Sequence, residues 1–124
     1  MRFVSTRAHG ALDVVMGAIT LLSPWLFNFN RGGFETWIPF LLGGAFLFVS
    51  TFTDYERGKV RRIPVKYHLF FDLCCGLSLL LSPWLFGFAE AVYVPHVFFG
   101  LLAVAAALTT ERLPSYDMSN ERTI

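Results

Sequence analysis

The sequence is short of charge, nearly without cysteine and without any catalytic signature, and each shortage excludes something. Asp, Glu, Lys and Arg make up only 15% of its 124 residues, well under the quarter or so typical of a soluble domain. Residues 14–30, 36–53, 73–89 and 91–110 contain none of these four residue types, in runs of 17 to 20. A soluble core could hide one such run, but four would leave no polar surface to cover them. Ten basic residues against nine acidic ones give no basic stripe for nucleic acid. The only cysteines, Cys74 and Cys75, are adjacent. On a helix they point about 100° apart and cannot bridge, so they read as small apolar fillers rather than as a redox or metal pair. There is no nucleophile elbow with its Ser-His-Asp set, no phosphate-cradling glycine loop and no His-Glu-x-x-His. Loops this short leave little volume for a substrate pocket, so neither an enzyme nor a cofactor is expected.

What is present is apolar: 55% hydrophobic and 17% aromatic residues. Each charge-free run has about the length a helix needs to cross roughly 30 Å of hydrocarbon at 1.5 Å per residue. Four transmembrane helices are predicted. With an even number of spans, Arg2, Arg7, Arg57, Lys59, Arg61, Arg62, Lys66, Arg112 and Arg122 share one side and Arg31 stands alone on the other. By the positive-inside rule both termini are expected in the cytoplasm, with the chain in the cell (inner) membrane. Residues 1–22 could pass for a secretory leader, but the segment recurs in mid-chain and no small-x-small cleavage site follows, so a membrane span is the preferred reading.

The chain is duplicated. Residues 9–29 (HGALDVVMGAITLLSPWLFNF) return as 68–88 (HLFFDLCCGLSLLLSPWLFGF), identical at eleven of 21 positions. Pro39 with Pro95, and Gly44 with Gly100, continue the match more weakly at an offset of 56. Repeat one is assigned to 9–56 and repeat two to 68–112, within a single membrane domain over 1–124. Each repeat is a two-helix hairpin. Hairpins return the chain to its starting side, so the halves share one orientation and a pseudo-twofold axis along the membrane normal is predicted. The fold class is therefore all-α, a polytopic four-helix bundle of two tandem hairpins. Gly17, Gly43, Gly44, Gly76 and Gly100 are the places where helices can approach closely. A basic linker over 54–66 joins the hairpins and can hold anionic lipid, at about 1 kcal/mol per basic residue near the surface. A polar tail follows over 111–124.

Ser5 or Thr6 can cap the first helix, and Pro64 suits the first turn of the third. Pro24 and Pro83 disfavour helix at Ser23 and Ser82, so the preferred reading ends helices there, each serine capping a turn made of Pro-Trp-Leu-Phe; the alternative is a kinked helix that continues past the proline and moves both aspartates toward the cytoplasmic edge. A third helix over 64–82 would place Asp72 one residue from its midpoint, and Asp13 equally deep. Trp25, Trp37 and Trp84 at the outer ends, with Tyr55 and Tyr67 at the inner ends, form the expected aromatic belt.

A twofold hairpin with Ser23-Pro24-Trp25 and Ser82-Pro83-Trp84, each six residues after a glycine, resembles the SPW repeat family of small prokaryotic integral membrane proteins over residues 9–112. The resemblance implies a helical membrane protein and brings no activity with it.

Asp13 and Asp72 are the costliest residues for a membrane, each opposing insertion by about 2.5 to 3.5 kcal/mol at a helix centre. His9 and His68 lie one turn away on the same faces, and under the pseudo-twofold axis the cross pairs His9 with Asp72 and His68 with Asp13 are as available as the pairs within each helix. The preferred reading of the quartet is a buried polar core that fixes how the hairpins pack. The alternative function is a small proton-coupled transporter or ion conductor using the same groups. A His2Asp2 metal site or bis-histidine haem is a third reading, which the spacing does not demand. Met16 and Thr20 extend the His9 and Asp13 face, but Cys75 and Leu79 do not extend its counterpart, which argues against a pore through one chain. His96, opposite Phe40 in the repeat, is expected to meet water in the outer leaflet. The partners expected are the lipid bilayer and, open to test, a second copy of the chain.

Overall fold

The computed structural model describes residues 3–52 and 65–110, and four helices carry almost all of them: α1 (Thr6–Leu26), α2 (Phe34–Phe52), α3 (Val65–Leu85) and α4 (Val94–Thr109). The tail over 111–124 lies outside the described residues, as do the ends of the repeats at 53–56 and 111–112. So does the linker over 54–66, except for Val65 and Lys66, which open α3. Helices α1, α2 and α3 are each long and apolar enough to cross a membrane; α4 is equally apolar but has 16 residues. The shortening comes at its start. Pro95 lies in its first turn, and residues 88–92 are spent on turns closed by Ala91 and Val92 N–H groups on the Phe88 carbonyl.

Polarity is inverted relative to a protein built for water. The buried set includes Thr6, His9, Thr20, Thr36, His68, Asp72 and His96, while Leu41, Phe48, Phe70 and Leu85 point outward with more than 60% of their surface exposed. A bundle whose outside is leucine and phenylalanine needs a hydrocarbon solvent. This is an all-α membrane protein. Trp25, Trp37 and Trp84 are half-exposed at one end of the bundle, the end where Arg31 follows α1, and Tyr67 is exposed at the other end, near Arg7 and Lys66.

Helix α1 packs along α2 and α3 along α4, with looser contacts between α2 and α3 and between α1 and α4. Glycines set the close approaches within each hairpin. A Cβ on Gly43 would come within 2.8 Å of the Gly17 carbonyl oxygen and the Leu21 Cα, and one on Gly100 within 2.6 Å of the Leu80 nitrogen. Gly44 has room, its nearest neighbour being the flexible end of Leu21 at 3.7 Å. Gly43, not Gly44, is thus the counterpart of Gly100, and the offset between α2 and α4 is 57 rather than 56. The Gly44 assignment slipped by one residue because the prolines at 39 and 95 are a misleading anchor: the packing pairs follow the glycine backbones.

The prolines do not end the helices. Both α1 and α3 run through them, to Leu26 and Leu85. A proline lacks the N–H that would bond the carbonyl four residues back, which strands the Thr20 and Leu79 oxygens. The preceding serine supplies the missing donor: Ser23 Oγ donates to the Thr20 carbonyl and Ser82 Oγ to the Leu79 carbonyl, each at 2.7 Å. Ser and Pro therefore work as a pair, which is how a membrane helix tolerates proline. With Ser23→Ala we expect a loss of about 1–3 kcal/mol, since a buried carbonyl is left without a partner. In a Pro24→Ala background, where the backbone N–H returns, the same change should cost little. Unfolding in detergent micelles measures both, and equal costs in the two backgrounds would refute the pairing.

The helices stop two residues past each proline. Asn28 and Gly87 adopt positive φ of 57° and 75°, and the Phe29 and Phe88 N–H groups reach back to the Pro24 and Pro83 carbonyls at 2.8 Å. This is the Schellman arrangement, with its left-handed residue and the apolar residue after it turned inward; Phe29 and Phe88 are both buried. Because the helices extend past the prolines, Asp13 and Asp72 are each the eighth of 21 residues, about 4.5 Å from the midpoint rather than at it.

Candidate functional site

His9 and Asp13 face inward from α1 because they are four residues apart, one turn on one face; His68 and Asp72 do the same from α3. Helices α1 and α3 belong to different hairpins, and these four side chains meet where the hairpins face each other. His9 Nε2 lies 2.8 Å from Asp72 Oδ2 and His68 Nε2 lies 2.5 Å from Asp13 Oδ2. The contacts within each helix are longer, 3.2 Å for His9 Nε2 to Asp13 Oδ1 and 3.1 Å for His68 Nε2 to Asp72 Oδ2. The cross pairs therefore dominate, and each imidazole nitrogen sits between two carboxylates. The rings stand edge to face, 5.8 Å apart at 87°. Both histidines and Asp72 are essentially fully buried.

Two hydroxyls that the sequence reading did not include complete the cluster. Ser50 Oγ, near the end of α2, donates to Asp13 Oδ2 at 2.9 Å. Thr110, just past α4, lies with its Oγ1 2.7 Å from His9 Nδ1. That threonine hydroxyl donates its own hydrogen to the Ala106 carbonyl at 2.6 Å, so it accepts from Nδ1–H. The first residues of the chain help place it, since the Phe3 and Val4 N–H groups bond the Thr109 carbonyl at 2.8 and 2.9 Å. Hydroxyls 37 and 101 residues away leave no local signal. What could have found them is the hairpin itself, which returns the last turns of α2 and α4 to the level of the acids.

The two halves are unequal here. At the offset of 57, Ala107 takes the place of Ser50, and Asp72 Oδ1 is buried with no hydrogen-bond partner among the described residues. We expect Ser50→Ala to destabilise the protein by about 1.5–3 kcal/mol, the range for a hydrogen bond to a charged group. Ala107→Ser, which offers Asp72 the missing donor, should raise the unfolding midpoint. The thermal unfolding of both variants in micelles checks this; a neutral Ser50→Ala would contradict it.

A groove of about 240 Å³ opens between α1 and α4, walled by Met16, Thr20, Phe99 and Leu102 and bordered by both aspartates. The two Ser-Pro-Trp segments lie at the opposite end of the bundle and take no part in the quartet. His96 is there too, and is not hydrated as expected: it is 1% exposed. Its Nε2–H donates to the Glu35 carbonyl at 3.0 Å, tying the start of α4 to the start of α2. Phe29 and Phe88 hold its ring at centroid distances of 5.2 and 4.8 Å. Water is excluded because the two phenylalanines that follow the left-handed residues converge on it. Cys74 and Cys75 are free thiols, Cys74 exposed on the outside of the bundle.

Residues 7–110 match the family model described as the SPW repeat domain. The chain belongs to that family. No curated protein and no solved structure gives a match. In this SPW repeat protein the motif works locally: serine repairs what proline breaks, tryptophan faces outward, and the phenylalanine four residues past the tryptophan closes the bundle over His96. The His9, Asp13, His68 and Asp72 cluster of this SPW repeat protein is elsewhere, at the end where both repeats begin.

Proposed function

We propose that this protein is a structural and interaction module of the membrane, with His9, Asp13, His68 and Asp72 as an intramembrane polar clasp between its two hairpins. The observation that carries the reading is the crossing of the short contacts: each histidine reaches the aspartate of the other hairpin. Neither hairpin satisfies its own groups as well as it satisfies its neighbour's, so the pairing selects one arrangement of the halves. On this reading both termini are cytoplasmic and the membrane is the inner one, because basic residues crowd the side that holds the clasp. The bilayer is the obligate partner, and outward-facing aromatic residues such as Phe48 and Phe70 offer surface to further copies. The chain has no enzymatic role in this account.

The groove favours a second reading, since it brings apolar space up to both carboxylates: a small proton-coupled transporter or ion conductor using the same four groups. Reconstitution into liposomes under a pH gradient separates the two. The native chain is expected to carry no flux above that of empty vesicles. A flux in the native chain that disappears in a folded Asp13→Asn, Asp72→Asn variant would replace the clasp with transport.

A further inference from the structure

We propose that the quartet is a binding site for one divalent first-row transition metal ion, of which zinc fits best. The proposal rests on the clasp reading and deepens it: the ion would be the fastener, with two ligands from each hairpin.

The spacing in the sequence does not demand a metal, but the geometry points to one. His9, Asp13, His68 and Asp72 each offer one donor atom, and these atoms all lie within 4.8 Å of one another. Four-coordinate zinc takes imidazole nitrogen and carboxylate oxygen at about 2.0–2.2 Å, which sets neighbouring donors roughly 3.3–3.5 Å apart. The nitrogen-to-oxygen separations here are 2.8 and 3.1 Å to Asp72 Oδ2, 2.5 Å to Asp13 Oδ2 and 3.2 Å to Asp13 Oδ1. To place the ion at the centre, the nitrogen-to-oxygen contacts must open by roughly 0.1 to 1 Å, and any donors near the 4.8 Å limit must draw in. Both histidines present the same nitrogen, Nε2, and their rings approach at nearly a right angle, as ligands converging on a point do and stacked rings do not.

The surroundings are those of a ligand shell. A metal-binding histidine usually donates its other ring N–H to an oxygen, which fixes the tautomer and orients the ring. His9 does this through Nδ1–H to Thr110, whose hydroxyl is itself committed to the Ala106 carbonyl. With Nδ1 carrying hydrogen, Nε2 is the nitrogen whose lone pair can face a cation. Ser50 does the corresponding service for a carboxylate, donating to Asp13. Two carboxylates, two neutral imidazoles and one divalent ion sum to zero charge, which is what a bilayer interior tolerates. Mixed nitrogen and oxygen donors suit zinc and its first-row neighbours, whereas calcium and magnesium prefer oxygen alone.

The test uses the full chain purified in detergent without chelators, then stripped and titrated with cobalt(II) and zinc(II). One equivalent of metal per chain is expected, with cobalt giving the intense visible bands of a four-coordinate site and zinc displacing it. Thr110→Val, which leaves all four ligands in place, should weaken binding by about 10–100-fold, the usual effect of losing an outer hydrogen bond. Cys74→Ser, Cys75→Ser should bind as the native chain does. A folded native chain that takes up neither ion overturns the site, as does undiminished uptake by a His9→Ala, His68→Ala double variant. The clasp is judged separately, by whether His68 and Asp13 are energetically coupled in metal-free protein; that coupling can survive the loss of the metal proposal.

Discussion

Asp13→Ala is expected to destabilise the protein by about 3–5 kcal/mol, the cost of removing one partner from a buried charged pair. The carboxylate accepts from His68 at 2.5 Å and from Ser50 at 2.9 Å, and it lies 3.2 Å from His9. Truncation strips all three at once. Of its two carboxylate contacts, His68 then keeps the longer one, 3.1 Å to Asp72. A double-mutant cycle with His68→Ala isolates the pair, and groups in direct contact should couple by about 0.5–3 kcal/mol. The pair of His9 and Asp72, at 2.8 Å, should behave likewise, whereas His96 and Asp13, at opposite ends of the bundle, should be additive. The measurement is reversible unfolding in mixed micelles. Strict additivity for His68 with Asp13 would mean that the quartet is a set of neighbours rather than a clasp.

The second large effect separates two adjacent glycines. Gly43→Ala should destabilise the first hairpin and Gly100→Ala the second, because the new methyl group meets backbone, at 2.8 Å from the Gly17 oxygen in one case and 2.6 Å from the Leu80 nitrogen in the other. Backbone cannot rotate aside as a side chain can, so the helices must move apart. Overpacking of this kind costs about 1–3 kcal/mol or more, against about 1 kcal/mol gained from the better helix propensity of alanine. At Gly44, where the nearest atom is 3.7 Å away, only the gain remains. Gly44→Ala should therefore match or exceed the native stability while its neighbour falls below it. Equal behaviour of the two would show that helix packing does not run through the Gly43 face.

Much of this architecture was legible in the sequence because it depends on repetition and on period. Charge-free runs of membrane length gave the helices, the doubled segment gave the two hairpins, and the four-residue spacing of His9 with Asp13 and His68 with Asp72 placed both pairs on inward faces. What was not legible depends on contacts between segments. The helices pass Pro24 and Pro83 because a serine side chain rotates onto a stranded carbonyl, and a rule about the residue before proline does not see that side chain. The register of α2 against α4 was off by one because Pro39 with Pro95 and Gly44 with Gly100 share an offset of 56 in a weakly matching stretch, whereas the close packing runs through Gly43. His96 was given to water because its cage is made of Phe29 and Phe88, residues from two other helix ends. Ser50 and Thr110 were missed for the same reason, since the groups they bond, Asp13 and His9, come from another helix.

Each hairpin contributes one imidazole and one carboxylate to the centre, and each satisfies its opposite number across the axis. A lone hairpin is thus self-complementary. Two identical chains of half this length, side by side in the same orientation, would already have closed the same ring of contacts. Making one chain of two such copies needs only a tether. A tether also lets the two halves differ, as they do where Ser50 in one corresponds to Ala107 in the other.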